Sequence, residues 1–296
     1  MVELVEVSPR DGLQNEAAIL SVQAKVALIE RAVASGVRRI EVASFVNPSR
    51  VPQMADAEAV IENLRLDAAV RTIGLILNDR GAERALATGI GELGLVVPVT
   101  DGFAIANQGM SAEDCTAMAV RVLARAHAAG RPAQVTLAVA FGCPFDGAVA
   151  QGRVVALARR FAASPLLEVS LADTIGIARP HEVERLVGQV CDAIRPMPVR
   201  VHFHDTHGMG VANSIAAVKA GAVTVDAAIG GTGGCPFAPG AAGNVASEDI
   251  AYAFGPQRVA VDLNLLVEAA RWLNGELGRT RESAVMRATA AAATRL

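Results

Sequence analysis

The sequence predicts an α/β protein in which eight parallel strands close into a (β/α)8 TIM barrel, followed by additional C-terminal helices. Short apolar runs alternate with helical patterns along most of the 296 residues. Eight such runs are present, and eight parallel strands suffice to close a barrel. An open, doubly wound sheet is the competing architecture, but no glycine-rich dinucleotide fingerprint follows the first strand. The predicted strands lie at 4–7, 39–43, 72–77, 93–97, 134–140, 167–171, 199–204 and 223–229.

Helical patterns separate these strands, and several carry start and stop signals. Ser21 can cap the first long helix, and Gly36 can terminate it. Ser111 precedes the helical pattern at 112–129, and Pro180 occupies the first turn of a later helix. Regular alternation of strand and helix is what a parallel barrel requires.

The last part of the chain continues with helical patterns after the eighth strand. These patterns, at 263–275 and 282–293, belong to a helical extension that begins at about residue 250. No linker or charge run divides the chain, so we expect residues 1–296 to form a single catalytic domain. The extension is expected to pack across the barrel mouth or against a second subunit, as in a homodimer or higher homo-oligomer.

Composition and charge narrow the class of protein. Hydrophobic residues make up 52% of the chain and aromatic residues only 3%, which is typical of buried parallel strands covered by alanine-rich helices. The net charge of −3 lacks the positive excess that is typical of nucleic-acid-binding proteins. No apolar run is long enough to span a bilayer, and the first residues do not resemble a signal peptide. The four cysteines show no close pairing, so we expect a protein of the reducing cytoplasm. From its charge and the lengths of its apolar runs, we expect it to bind neither nucleic acid nor membrane.

The stretch VHFHDTHG, in the seventh predicted strand, contains a candidate metal site. His202 and His204 are two residues apart, so both imidazoles point to the same face of the strand. Asp11, directly after the first strand, and Asn244, after a glycine-rich segment, can add oxygen ligands for Mg²⁺ or Mn²⁺. Each residue also has an ordinary alternative: hydrogen bonding at a polar strand end for the histidines, a turn for Asp11, and a helix N-cap for Asn244.

Other polar groups lie at strand ends, where barrel enzymes carry their active sites. The Arg10 guanidinium suits an oxygen that gains negative charge, or alternatively forms a salt bridge to Glu41. Glu41 is costly to bury without a partner. Asp173 can bind a metal, orient a ligand or start a loop. Cys235 can transfer a proton if the glycine-rich segment closes as a lid, or it fills a small hole.

Six stretches of the chain carry further motifs: VEVSPRDGLQNE, EVASFVNPSRVPQMAD, GCPFDG, SLADTIG, VHFHDTHG and GGTGGCPFAPGAAGNVASED. Together and in this order, they resemble the motifs of hydroxymethylglutaryl-CoA lyase. That enzyme belongs to the metal-dependent barrel lyases, which also include isopropylmalate and homocitrate synthases. The resemblance runs from about Val5 to Asp249, and its most specific part is the Gly-Gly-Cys-Pro lid followed by Gly-Asn.

The resemblance implies a retro-Claisen lyase that uses a divalent metal and an acyl-CoA substrate, with a place in leucine degradation. It implies that Arg10 stabilises the enolate oxygen of the departing acetyl-CoA and that Cys235 is the lid cysteine. The general base stays open among Glu41, Asp11 and Asp173. The implied metal ligands are Asp11, His202, His204 and Asn244; the implied residues around the substrate are Gln14, Glu41, Ser44, Asn107 and Asp173.

The chain departs from the family pattern at several positions near the predicted mouth. Ala17 stands where the family usually has a lysine, and Ile105-Ala106-Asn107 stands where a Lys-Asn pair is common. These changes weaken the expected binding of the CoA phosphates or of the acid portion of the substrate. A related branched or longer 3-hydroxyacyl-CoA is therefore an alternative substrate. A barrel that binds metal and ligand without turnover is the alternative from another class.

Overall fold

The barrel predicted from the sequence is confirmed by a computed structural model, which describes residues 1–234 and 243–293. Eight parallel strands pair in chain order, and β8 pairs with β1 to close the barrel. The strands are β1 (Glu3–Glu6), β2 (Arg39–Ser44), β3 (Arg71–Ile76), β4 (Glu92–Pro98), β5 (Ala133–Ala138), β6 (Val169–Asp173), β7 (Val199–Phe203) and β8 (Thr224–Ala227).

Helices cover the outside of the barrel and supply the other side of its core. Strands β2, β6, β7 and β8 are buried along their whole length, because helices pack on one face and the barrel interior on the other. The helices around the barrel are α1 (Val22–Ala34), α2 (Ala57–Asn63), α3 (Asp79–Leu86), α4 (Asp101–Gln108), α5 (Ala112–Ala128), α6 (Gln151–Ala162), α7 (Pro180–Ile194) and α8 (Gly210–Lys219).

Buried ion pairs fill the barrel interior at the N-terminal ends of the strands. Arg39, at the start of β2, lies 2.7 Å from Glu92, 2.7 Å from Glu168 and 3.1 Å from Glu3. Such pairs offset the cost of burying each charge. The interior therefore opens towards the C-terminal ends, where the predicted site residues lie.

The C-terminal helices flank the barrel on the side of the first and last strands. They are α9 (Ser247–Phe254), α10 (Leu263–Leu277) and α11 (Ala284–Ala293). Helix α10 packs on α1 and on the short 3-10 helix Ile229–Gly231 that follows β8. The Arg31 guanidinium stacks 4.7 Å above the Trp272 ring between α1 and α10. Among the described residues, no helix is both long and apolar enough to cross a membrane.

Candidate active site

A single turn of π-helix directly after β1 carries the first two site residues. It spans Ser8–Gly12 and contains Arg10 and Asp11, with Pro9 in its first turn. A Cβ atom at Gly12 would lie 2.5 Å from Thr232 Oγ1, so glycine allows this turn to pack against the segment that follows β8. Single π turns are common at functional sites because they redirect side chains. Here the turn directs both side chains into the barrel mouth.

The predicted carboxylate and both histidines converge on one point. Asp11 Oδ2 lies 3.8 Å from His202 Nε2 and 4.0 Å from His204 Nε2. One ligand atom from each of the three residues lies within 4.8 Å of the others. Period-two alternation on β7 explains why both rings reach the same face, and their centroids are 5.2 Å apart.

Asn244 completes this group from the segment after β8. It forms an isolated bridge with His204, and its Nδ2 donates to Asp11 Oδ2 at 2.8 Å and to the Thr232 carbonyl at 3.1 Å. Its Oδ1 is buried and accepts no hydrogen bond from any described residue, and His204 Nδ1 is equally unpartnered. Two imidazoles, one carboxylate and one free amide oxygen fit the ligand preferences of a divalent cation.

The charges around this point keep Asp11 ionised and His204 neutral. Burial opposes ionisation of Asp11, but Arg10, His202 and His204 together hold its pKa below the usual range. Burial and the neighbouring His202 lower the pKa of His204 to about 4. A neutral imidazole and an ionised carboxylate are the forms that bind metals.

Arg10 joins two carboxylates at the mouth. Its NH1 donates to Asp11 Oδ1 at 2.5 Å, and its NH2 donates to Glu41 Oε2 at 2.7 Å. The salt bridge between Arg10 and Glu41, one of the two alternatives predicted for Arg10, is therefore present. Glu41 is buried on β2, but its Oε1 accepts no hydrogen bond from the described residues. That oxygen is available to a ligand in the cavity.

A further carboxylate, Asp226 on β8, orients His202, and sequence reasoning missed it. Asp226 Oδ2 lies 3.1 Å from His202 Nδ1, so the other ring nitrogen, Nε2, points towards Asp11. Arg200 Nε donates to Asp226 Oδ1, and Arg200 NH1 donates to Gln134 Oε1 at 2.8 Å. Burial opposes the charge on Asp226, but Arg200 and His202 lower its pKa. One signal for this pair was present in the sequence: Arg200 and Asp226 are charged residues in two otherwise largely apolar strands.

A cavity of about 520 Å³ opens in front of these groups. Gln14 and Asn107, two of the residues predicted to lie near the substrate, line this cavity. Ser44 and Asp173 are not among its lining residues. Ser44 is fully buried at the end of β2. The Asp173 carboxylate accepts the backbone N–H groups of Ile177 and Ala178, at 3.1 and 2.9 Å, and so shapes the loop after β6.

The family follows from comparison with known proteins. A family model described as HMGL-like matches residues 1–271. The chain belongs to this family. It is 41% identical to (R)-citramalyl-CoA lyase of Chloroflexus aurantiacus, over 94% of this chain and 92% of the relative. It is 38% identical to hydroxymethylglutaryl-CoA lyase of Pseudomonas mevalonii, over 99% and 98% of the two chains.

A solved structure agrees with these relatives. The HMG-CoA lyase from Acinetobacter baumannii, determined in complex with coenzyme A and 3-methylmalate, superposes with a TM-score of 0.92. It is 35% identical and covers 97% of this chain and 95% of its own. These relatives are carbon–carbon lyases, and the prediction of such an enzyme is confirmed. The HMGL-like family is dependent on a divalent metal, in agreement with the group at Asp11, His202 and His204.

The glycine-rich segment of this family member is described only at its two ends. Cys235, the predicted lid cysteine, lies outside the described residues. At the near end, Gly233 has a φ of +109°, and a Cβ there would lie 2.9 Å from Asn244 Nδ2. Gly233 is therefore required for close packing against Asn244, whereas a Cβ at Gly234 would have nothing within 4 Å.

Proposed function

We propose that the chain cleaves a carbon–carbon bond of a 3-hydroxyacyl-CoA by a retro-Claisen reaction, with hydroxymethylglutaryl-CoA as the first candidate substrate. The products would be acetoacetate and acetyl-CoA. The observation that carries the proposal is the convergence of Asp11, His202 and His204 beside the free, buried amide oxygen of Asn244. Family membership supports the reaction type, and several relatives carry this substrate in their names.

We propose Asp11, His202, His204 and Asn244 as the metal ligands, with Mg²⁺ or Mn²⁺ as the ion. When bound, such a cation supplies Lewis acidity that lowers the pKa of a substrate hydroxyl. The protein prepares the site in advance. Asp226 holds His202 with Nε2 towards the centre, and Arg10 takes one oxygen of Asp11 and leaves the other to the centre.

We propose Glu41 as the general base. Of the three carboxylates considered from the sequence, Asp11 has both oxygens engaged and Asp173 binds backbone N–H groups outside the cavity lining. Glu41 lines the cavity and keeps one oxygen free. In the reaction, this oxygen takes the proton of the tertiary hydroxyl while the adjacent carbon–carbon bond breaks. The hydroxyl carbon becomes a ketone, and the bonding electrons leave with the acetyl-CoA enolate.

We propose that Arg10 stabilises the enolate oxygen through its guanidinium, which keeps its charge at every relevant pH. The enolate carbon must then receive a proton to give acetyl-CoA. By resemblance to the family, we propose the thiol of Cys235 as the group that delivers it.

We also propose that the protein acts in the cytoplasm. We further expect a homodimer or higher oligomer, and sedimentation of the purified protein tests this oligomeric state.

(R)-Citramalyl-CoA is the second candidate substrate. The 41% identity to the Chloroflexus lyase favours it, as do the departures from the family pattern at Ala17, Ile105 and Ala106. The same bond cleavage on this thioester releases pyruvate in place of acetoacetate. The keto product, acetoacetate or pyruvate, therefore distinguishes the two candidate substrates.

A thioester panel tests the proposal. Hydroxymethylglutaryl-CoA, citramalyl-CoA and a longer 3-hydroxy-3-alkylglutaryl-CoA are incubated with Mg²⁺ or Mn²⁺, and acetyl-CoA and the keto product are quantified. We expect metal-dependent release of acetyl-CoA, abolished by chelation and restored by added metal. The largest kcat/KM identifies the substrate. No product from any thioester, despite a folded, metal-loaded protein, would favour a binding barrel without turnover.

A further inference from the structure

We propose that Arg50 and Arg80 bind phosphate groups of the CoA portion of the substrate, along a groove beside the barrel mouth. This inference rests on the proposed acyl-CoA substrate. CoA carries three phosphates, so its binding site needs cations that are not already neutralised. Ala17, on the loop after β1, supplies no such charge. The charge must therefore come from elsewhere on the rim.

Arg50 is the available cation of the main cavity. Three arginines line that cavity: Arg10, Arg50 and Arg200. Arg10 is paired with Asp11 and Glu41, and Arg200 is paired with Asp226. Arg50 is exposed, and none of the described carboxylates lies within ion-pair distance of its guanidinium. Its donors are free to bind an anion that enters with the substrate.

A second cavity, of about 470 Å³, continues from this rim to the start of α3. It shares Val46, Asn47 and Asn78 with the main cavity, so the two cavities adjoin, and the name groove covers both. Arg80 lies at its far side, is exposed, and is likewise unpaired among the described residues.

The other charged groups near Arg80 are already engaged. Arg84 is paired with Glu58 at 2.7 Å, and its guanidinium lies over the Phe45 ring. Asp79, which could repel a phosphate, lies 3.3 Å from Arg121 and 3.5 Å from Arg125. Two unpaired cations thus border the groove, and each carboxylate among its described lining residues is paired with an arginine.

Truncated thioesters test this assignment. Cleavage is measured with the CoA thioester, its 3′-dephospho form and the pantetheine thioester, which lacks every phosphate. Arg50→Gln, Arg80→Gln and the double variant are compared with wild type. Arg159→Gln is the matched control, because Arg159 is equally exposed on α6 and lines neither cavity. Binding of free CoA and of pantetheine is measured by calorimetry in parallel.

We expect each groove variant to lower kcat/KM for the CoA thioester by about tenfold or more, through KM, and to leave the pantetheine thioester unaffected. The dephospho form shows which arginine contacts the 3′-phosphate. Equal losses on all three thioesters, or losses no larger than those of Arg159→Gln, would overturn the assignment. The lyase proposal fails separately, if wild type cleaves no thioester. The calorimetric loss of CoA binding in the variants then still decides whether the phosphate site exists.

Discussion

Neighbouring charges give each of the carboxylates at the barrel mouth a different chemical task. Asp11 shares its two oxygens between Arg10 and the metal-ligand group, whereas Glu41 keeps one oxygen for the cavity. Asp226 faces away from the cavity centre towards Arg200 and the Nδ1 side of His202. These different surroundings support the proposed roles of Asp11 as a metal ligand, Glu41 as a base and Asp226 as a positioning group.

Asp226→Asn tests the positioning role. The amide keeps the shape of the side chain but removes the charge that fixes the His202 tautomer, so we expect Mn²⁺ affinity to fall by about 10- to 100-fold. Calorimetric titration of the metal-free protein measures this without reference to turnover. Asp192→Asn, an exposed carboxylate on α7, is the control. Unchanged Mn²⁺ affinity would reduce Asp226 to a partner of Arg200 alone.

Arg10→Lys separates charge from geometry. A lysine keeps the positive charge but cannot donate to Asp11 and Glu41 at once from two fixed nitrogens. We expect kcat to fall on the order of 100-fold, the usual effect of losing one donor to a developing oxyanion, while Mn²⁺ affinity changes little. Steady-state kinetics and the same titration measure both. A kcat near that of wild type would mean that the Arg10 charge alone suffices.

At the scale of elements, the register between strands decided which site residues could be foreseen. The two histidines were predictable because period two within one strand places both on one face. Asp226 was not, because its contact with His202 depends on the pairing of β7 with β8, where these two residues are opposite each other. Sequence patterns reveal strands readily but not their neighbours' alignment.

Asp173 is a second residue whose surroundings could not be predicted from the sequence pattern. Strand β6 runs two residues beyond the predicted 167–171, to Asp173. In the observed register Ala172 pairs with His202 and lines the cavity, whereas Asp173 pairs with Phe203. Because side chains alternate, this single step directs the carboxylate towards the loop after β6. Strand ends are the least predictable feature of a sequence, and here one residue decides which side chain reaches the cavity.

The segment after β8 offers a test of close packing. Gly233→Ala would add a Cβ 2.9 Å from Asn244 Nδ2, at a φ of +109° that L-residues rarely adopt. We expect a loss of about 1–3 kcal/mol in the free energy of unfolding and weaker Mn²⁺ binding, because Asn244 must move. Gly234→Ala is the matched control, since a Cβ there has nothing within 4 Å. If the two variants behave alike, the segment adapts and the glycine is not required for packing.

For the molecule as a whole, two acids on α9, the buried Glu248 and the half-buried Asp249, attach the C-terminal helices to the barrel. Glu248, on α9, accepts a hydrogen bond from Gly230 N at 3.2 Å and interacts with Ser283 before α11. Asp249 accepts the backbone N–H groups of Ala284 and Val285 at the start of α11. The extension is thus connected to the strand end that carries the active-site segment, and its stability affects that segment.

Glu248 makes this connection sensitive to pH. Burial raises its pKa to about 7, above the value of 4.5 expected in the unfolded chain. Between these values the folded protein holds a proton that the unfolded chain has lost, so this group lowers the free energy of unfolding as pH rises. Below both values, and above both, its contribution no longer changes with pH.

Glu248→Gln should remove this dependence, because the amide cannot ionise. The free energy of unfolding of the variant, minus that of wild type, is expected to increase between pH 5 and pH 8, by on the order of 2 kcal/mol. Urea unfolding at several pH values measures it. Glu282→Gln, an exposed neighbour in the same C-terminal segment, should show no such increase. A constant difference across this range would mean that Glu248 stays ionised in the folded protein, despite its burial.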